Sequence, residues 1–206
     1  FDSIPWQSLR YALKKLSPHR RATAVKAIHR HLPTQEKLYK QGRVAMTSLC
    51  PRCLDAAETN PHVYCCMSQG AITQRKSDWI DLWKQLHRCK TATVIEQTWR
   101  RFLQRLVTIP LGESNVDTLP VVHGSVAELL HQAIEEQTRI GWDKLLVGTG
   151  TMLWKTLQDF IDSENPNPPQ RTASDWMNTA SHQMPAKVQS AVLEDKESNH
   201  PWSNTS

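Results

Sequence analysis

Residues 50–66 read Cys50-Pro-Arg-Cys53-Leu-Asp-Ala-Ala-Glu-Thr-Asn-Pro-His62-Val-Tyr-Cys-Cys66. Two residues separate Cys50 from Cys53, eight separate Cys53 from His62, and three separate His62 from Cys66. A Cys-x2-Cys turn aims two thiolates at one point, with backbone N–H groups behind the sulfurs. Thr59 is placed to cap a short helix that Pro61 helps to start. On that helix His62 and Cys66 fall one turn apart on one face. Cys50, Cys53, His62 and Cys66 thus form a tetrahedral N/S donor set. Four such ligands close the shell, so the expected cofactor is a structural Zn2+ with no open position for substrate.

The competing reading of these residues is a disulfide framework or a set of buried thiols. Five cysteines is an odd number, and adjacent Cys65 and Cys66 suit paired bridges poorly. Cys65 competes with Cys66 as fourth ligand. The i,i+4 spacing favours Cys66, because i,i+3 demands a tighter turn. Cys89 reads as a helix-surface or core thiol. Leu49, Leu54, Val63 and Tyr64 are the expected packing partners of the site.

Working towards the N-terminus, Trp6, Leu9, Leu13 and Leu16 recur at helical spacing after Pro5. Ser17-Pro18 breaks this helix and opens a second, whose apolar face is Ala22, Val25, Ile28 and Leu32. His29 and His31 flank that face, and no cysteine lies at ligand spacing from them. Leu32-Pro33 ends the helix. Thr34 caps a third, short helix with Leu38 and Tyr39, and Gly42 stops it.

Charge is unevenly spread over this framework. The chain carries +5 overall. Residues 1–44 hold ten basic side chains against Asp2 and Glu36, whereas residues 112–165 hold three against nine acids. The basic front half points to a polyanionic partner; a solvated helix face, or docking on the acidic back half, accounts for the same charges.

Towards the C-terminus, 78–87 reads as a helix with Trp79, Ile80, Trp83 and Leu86 on one side. Thr91 or Thr93 caps the next, striped by Val94, Ile95, Trp99, Phe102, Leu103 and Leu106. Tryptophans at this spacing belong to a core more often than to base-stacking platforms. Residues 109–120 form a loop. Ser125 caps a further helix with Val126, Leu129, Leu130, Ala133 and Ile134 buried and Gly141 at its end. Glu135 and Glu136 point about 100° apart on it and are read as solvated charges. Residues 141–150 are glycine-rich but lack a phosphate-loop pattern. Thr151 opens a last helix through Leu153, Trp154, Leu157, Phe160 and Ile161. Asn165 to Pro169 is a linker, Trp176 and Met177 mark a short docked helix, and residues from about 185 read as disordered.

The fold class expected is therefore mainly α: a small helical bundle with a short zinc-knuckle insertion and a disordered C-terminal tail. Its expected divisions are 1–68, basic helices plus the Cys3His knuckle; 69–163, a helical region; and 164–206, linker and tail. A mean hydropathy of −0.54 describes a polar chain. No apolar run is long enough for a membrane span. A thiol-rich site suits a reducing, intracellular compartment, nucleus or cytoplasm. The chain begins with Phe1 rather than Met and reads as a fragment.

Leu32-Pro33-Thr34, Leu38, Gly42-Arg43, Cys50-Pro-Arg-Cys53, Glu58-Thr59, His62-Val63 and Cys66 together resemble the reverse-transcriptase-associated zinc-binding domain of retroelement polyproteins. In that family a turn like Leu-Pro-Thr leads into Cys-Pro-x-Cys and then Glu-Thr-x-x-His-Val-x-x-Cys. The likeness covers about the first third of the chain. Residues 136–142, with Gly148, Trp154 and Gln158, resemble the segment that follows such a site. The resemblance implies a non-catalytic module of a polyprotein whose parent is an RNA-directed DNA polymerase, holding RNA or DNA. Arg20, Arg21, Lys26 and Arg30 would then contact phosphates. No Asp-Asp pair, RNase H-like carboxylate set or Gly-x-Ser-x-Gly occurs, which argues against catalysis within these residues. The alternative is a zinc-scaffolded protein-interaction module whose Trp-rich helices dock on another part of the polyprotein, without nucleic-acid binding.

Overall fold

The computed structural model describes residues 4–43, 47–107 and 120–166. The expected tail, the docked helix at Trp176 and Met177, and most of the expected 109–120 loop lie outside them. Among the described residues the protein is mainly helical. Its only β pairing there is one isolated antiparallel bridge, Leu49 to Ala57.

A basic hairpin comes first. Helix α1, Trp6–Lys14, buries Leu9 and Ala12. Ser17 caps α2, Pro18–Ile28, by accepting from the Arg20 N–H. The Arg21 guanidinium turns back to donate to the carbonyls of Leu13, Lys14 and Leu16 at 3.0, 3.1 and 3.2 Å. It satisfies the orphan acceptors at the end of α1 and fixes the hairpin angle. The expected face of α2 is corrected in part: Ala22 and Val25 are exposed and Ala24 is buried in their place, while Leu32 is buried as expected.

The hairpin is tied to the rest at the C-terminal end of α2. Asn60 Nδ2 donates to the Arg30 carbonyl and Lys144 Nζ to the Ile28 carbonyl, both at 2.9 Å. Arg30 pairs with Asp143 at 2.7 Å. Helix α3, Gln35–Lys40, is capped by Thr34, and Gly42 follows it with a positive φ of 64°. Helix α4, Asn60–Cys65, follows the Cys-x2-Cys turn.

Helix α5, Gln69–Arg88, starts nine residues before the expected 78, because Ser68 caps it by accepting from the Ala71 N–H. It buries Trp79, Leu82, Trp83 and Leu86. Ile80, expected among them, is 51% exposed. Helix α6, Thr93–Val107, buries Val94, Ile95, Trp99 and Leu103, and Leu106 lies outside that stripe. Helix α7, Gly124–Ile140, begins one residue before Ser125, with His123 at the cap position and no side-chain cap. Helix α8, Trp142–Leu145, and helix α9, Leu153–Glu164, complete the order.

Helices α5 to α9 build the main core, which Tyr64 of α4 joins. Trp99 and Trp154 meet edge to face at 5.7 Å, Trp79 and Trp83 at 5.0 Å, and Phe102 stacks on Trp142 at 4.0 Å. The turn from α8 to α9 is buried from Leu145 to Thr151. Gln137 of α7 holds it: its Oε1 accepts from Thr151 N at 3.0 Å and Trp154 Nε1 at 3.1 Å, and its Nε2 donates to the Gly141 carbonyl. Gly141 ends α7 at φ 107°, where a Cβ would lie 2.7 Å from Asp143 Oδ1. Glu136, expected as a solvated charge, accepts a hydrogen bond from the Thr151 hydroxyl.

Candidate metal centre

Backbone geometry builds the first half of the site. The Leu49–Ala57 bridge closes the loop, and Cys50 N donates to the Ala56 carbonyl at 2.7 Å. Leu54 N returns to the Cys50 carbonyl at 2.8 Å, completing a tight turn that Leu54 leaves at φ 57°. N–H groups of Arg52 and Cys53 face the Cys50 sulfur, and those of Asp55 and Ala56 face the Cys53 sulfur. A helix supplies the second half. Thr59 Oγ1 accepts from His62 N at 3.1 Å, fixing the first turn of α4. His62 projects from that turn, and Cys66 sits at the C-cap.

The ligand atoms of Cys50, Cys53, His62 and Cys66 all lie within 4.8 Å of one another. The Cys50 and Cys66 sulfurs are 3.8 Å apart, and Cys53 Sγ lies 3.4 Å from His62 Nε2. A tetrahedral zinc with sulfur at roughly 2.3 Å and nitrogen at roughly 2.0–2.1 Å places two sulfurs about 3.8 Å apart and a sulfur and nitrogen about 3.6 Å apart. The observed spacings therefore fit one metal ion at the centre. A disulfide between Cys50 and Cys66 would need an S–S distance near 2.05 Å. Cys65, the competing fourth ligand, is turned away and donates to the Pro61 carbonyl at 3.3 Å.

Electrostatics bear on two of these groups, Cys50 and Cys53. Burial pushes the Cys50 thiol up to about 11, with the nearby Cys66 adding to the shift. The N–H groups of Asp55 and Ala56 lower Cys53. Cys50 and Cys66 are buried with Ala71, and Cys53 packs against them. Leu49 and Leu54, expected around the site, are 38% and 68% exposed, so the small Ala71 of α5 closes the site instead.

Two residues that sequence reasoning did not assign support this centre. Glu58 is buried and its Oε2 accepts from Gln35 N at 2.6 Å, so the loop that carries the thiols also caps α3. Its signal in the sequence is its place in the Glu58-Thr59 part of the motif, to which no contact was assigned. Arg75 of α5 donates to the Cys66 carbonyl. Nothing in the spacing marked it.

The basic residues singled out from the sequence have different surroundings. Arg20 and Lys26 are exposed on α2. Arg21 is engaged with α1 carbonyls, and Arg30 with Asp143. No helix among the described residues is long and apolar enough to cross a membrane. No protein-family model matches the chain, and no curated protein or solved structure matches it either.

Proposed function

We propose that the chain is a non-catalytic, zinc-stapled helical module of the kind found in retroelement polyproteins, and that it holds RNA or DNA through its basic hairpin. The observation that carries the reading is the cluster of three sulfurs and one imidazole at tetrahedral spacing. Zinc is the metal because thiolate-rich tetrahedral sites select it, and a full shell leaves it a structural part. The metal joins the turn at Cys50 to the end of α4, and through Glu58 it sets α3. Asn60 links α4 to the end of α2, so the centre also orients the hairpin.

Residues 4–32 carry seven basic side chains and no acid, which suits a phosphate backbone. Arg20 and Lys26 offer charge directly. Arg30 is held in an exposed pair that stabilises little and can exchange its partner for a phosphate. Arg21 contributes its charge while holding α1. The second reading, docking through Trp-rich helices, draws less support, because Trp79, Trp83, Trp99 and Trp154 are buried in the chain's own core.

The test is binding of duplex DNA and of single-stranded RNA against salt. Affinity should fall steeply as salt rises, and Arg20→Glu with Lys26→Glu should reduce the slope of log K on log salt by about 2. Absence of binding at low salt, or a slope unchanged by the double variant, would overturn the nucleic-acid role.

A further inference from the structure

A groove of about 370 Å³ runs between α1 and α2. Its floor is Trp6, Leu9, Leu13, Val25 and Ile28, and its rim carries Arg10, Lys14 and Arg21. The floor is carbon almost throughout. Trp6 and Val25 stand 43% and 39% exposed there, an apolar strip within a strongly basic surface. An exposed apolar strip rimmed by charge is one form that contact surfaces take.

We propose that this groove is a docking site for an acidic amphipathic helix of a partner protein. Shape and charge both commit it to that occupant. Trp6, Leu9 and Leu13 follow each other at i, i+3 and i+7, and α1 offers a strip roughly 13 Å long. That matches the anchor spacing of a helix laid into a groove. Arg10 and Lys14 have no acidic partner among the described residues, and the whole hairpin holds no acid. A basic or neutral helix would leave those charges uncompensated; an acidic one pairs with them along the rim. A nucleotide base is the poorer fit. Its edge donors and acceptors would enter a floor that offers them no partner, which costs more than stacking returns. This inference shares Arg21 with the nucleic-acid role but is separable from it, because Arg20 and Lys26 do not line the groove.

The test is selection from a displayed library of random peptides, about 16 residues long and so ~24 Å as helices, against the full zinc-loaded chain. The enriched sequences should be acidic, with apolar residues at i, i+3 or i+4, and i+7. Val25→Glu, a change at an exposed position, should weaken them about tenfold or more, as should Arg10→Glu with Lys14→Glu. Trp6→Ala is the companion variant, and circular dichroism checks that both apolar-site variants fold. Arg20→Glu with Lys26→Glu should leave peptide binding in place, so failure here is distinct from failure of the nucleic-acid role. The proposal is overturned by no enrichment, by enriched peptides lacking acidic residues, by indifference to both Val25→Glu and Trp6→Ala, or by full displacement with oligodeoxythymidine.

Discussion

Arg75 donates from Nη2 to the main-chain carbonyl of Cys66, joining α5 to the end of α4 directly behind the metal centre. Its Nε and Nη1 are buried without a hydrogen-bond acceptor. Burial lowers the guanidinium pKa from its ordinary value, and Cys66 and Cys65 act against that shift. Three thiolates and one imidazole around Zn2+ leave a net charge of −1, so a buried cation here is electrostatically matched. Partners behind the ligands typically contribute about 10–100-fold to metal affinity. Arg75→Gln should lower zinc affinity by about that factor, with Arg75→Lys falling between. Competition with a chromophoric chelator measures it; equal affinity in all three proteins would reduce Arg75 to a packing role.

Glu58 should matter to α3 rather than to the metal. Its carboxylate caps Gln35 N at the positive end of a helix dipole. Glu58→Ala should cost about 1–2 kcal/mol of stability, the range for losing a good cap, while zinc content stays unchanged. Urea unfolding with parallel metal analysis checks both halves of the prediction.

Gln137 is the polar centre of the main core. Replacing it with Leu leaves Thr151 N, Trp154 Nε1 and the Gly141 carbonyl without their partner. Each buried group left unpaired costs roughly 1–3 kcal/mol, so Gln137→Leu should lose at least about 2 kcal/mol by urea midpoint despite its greater hydrophobicity. A neutral or stabilising result would show that the turn between α8 and α9 rearranges freely.

Much of this arrangement was legible from local rules. Ser17, Thr34 and Thr59 cap helices because a hydroxyl reaches an N–H three residues on, and that relation is wholly within the sequence. The cluster of Cys50, Cys53, His62 and Cys66 was legible for the same reason, since a turn and one helical turn set its spacing. What escaped depends on tertiary neighbours. Gln137 and Gln158 look like surface residues, yet both are buried: Gln137 serves the turn that contains Thr151, and Gln158 Oε1 accepts from Ala92 N. Ile80 fits the apolar stripe of α5 as well as Leu82 does, and the packing of the main core decides between them. The start of α5 was missed because Thr73, Gln74, Arg75 and Lys76 give it no apolar stripe. The retroelement resemblance rests on motif residues, and the metal and binding experiments above are its test.

Glu96 supplies a pH signature. It lies in the first turn of α6 with Oε1 buried and unpartnered, and burial raises its carboxyl above the usual value while His87 and Arg100 oppose the shift. A raised folded-state pKa favours the protonated form in the native protein. Its contribution to stability is therefore fully present below the unfolded carboxylate pKa, about 4.3, and is lost as pH rises through the folded value. Glu96→Gln should accordingly be more stable than the parent at pH 7, and the difference should vanish towards pH 4. Both proteins shed metal alike in acid, so the difference between their denaturation midpoints isolates this one group.

The account depends most on the metal, and metal analysis of the reduced, desalted full chain tests it most directly. About one zinc per chain is predicted, lost in Cys50→Ser and Cys66→Ser and kept in Cys65→Ser, with unfolding on chelation. Protein that folds with no bound zinc, or zinc that survives loss of Cys50 and Cys66, would contradict it.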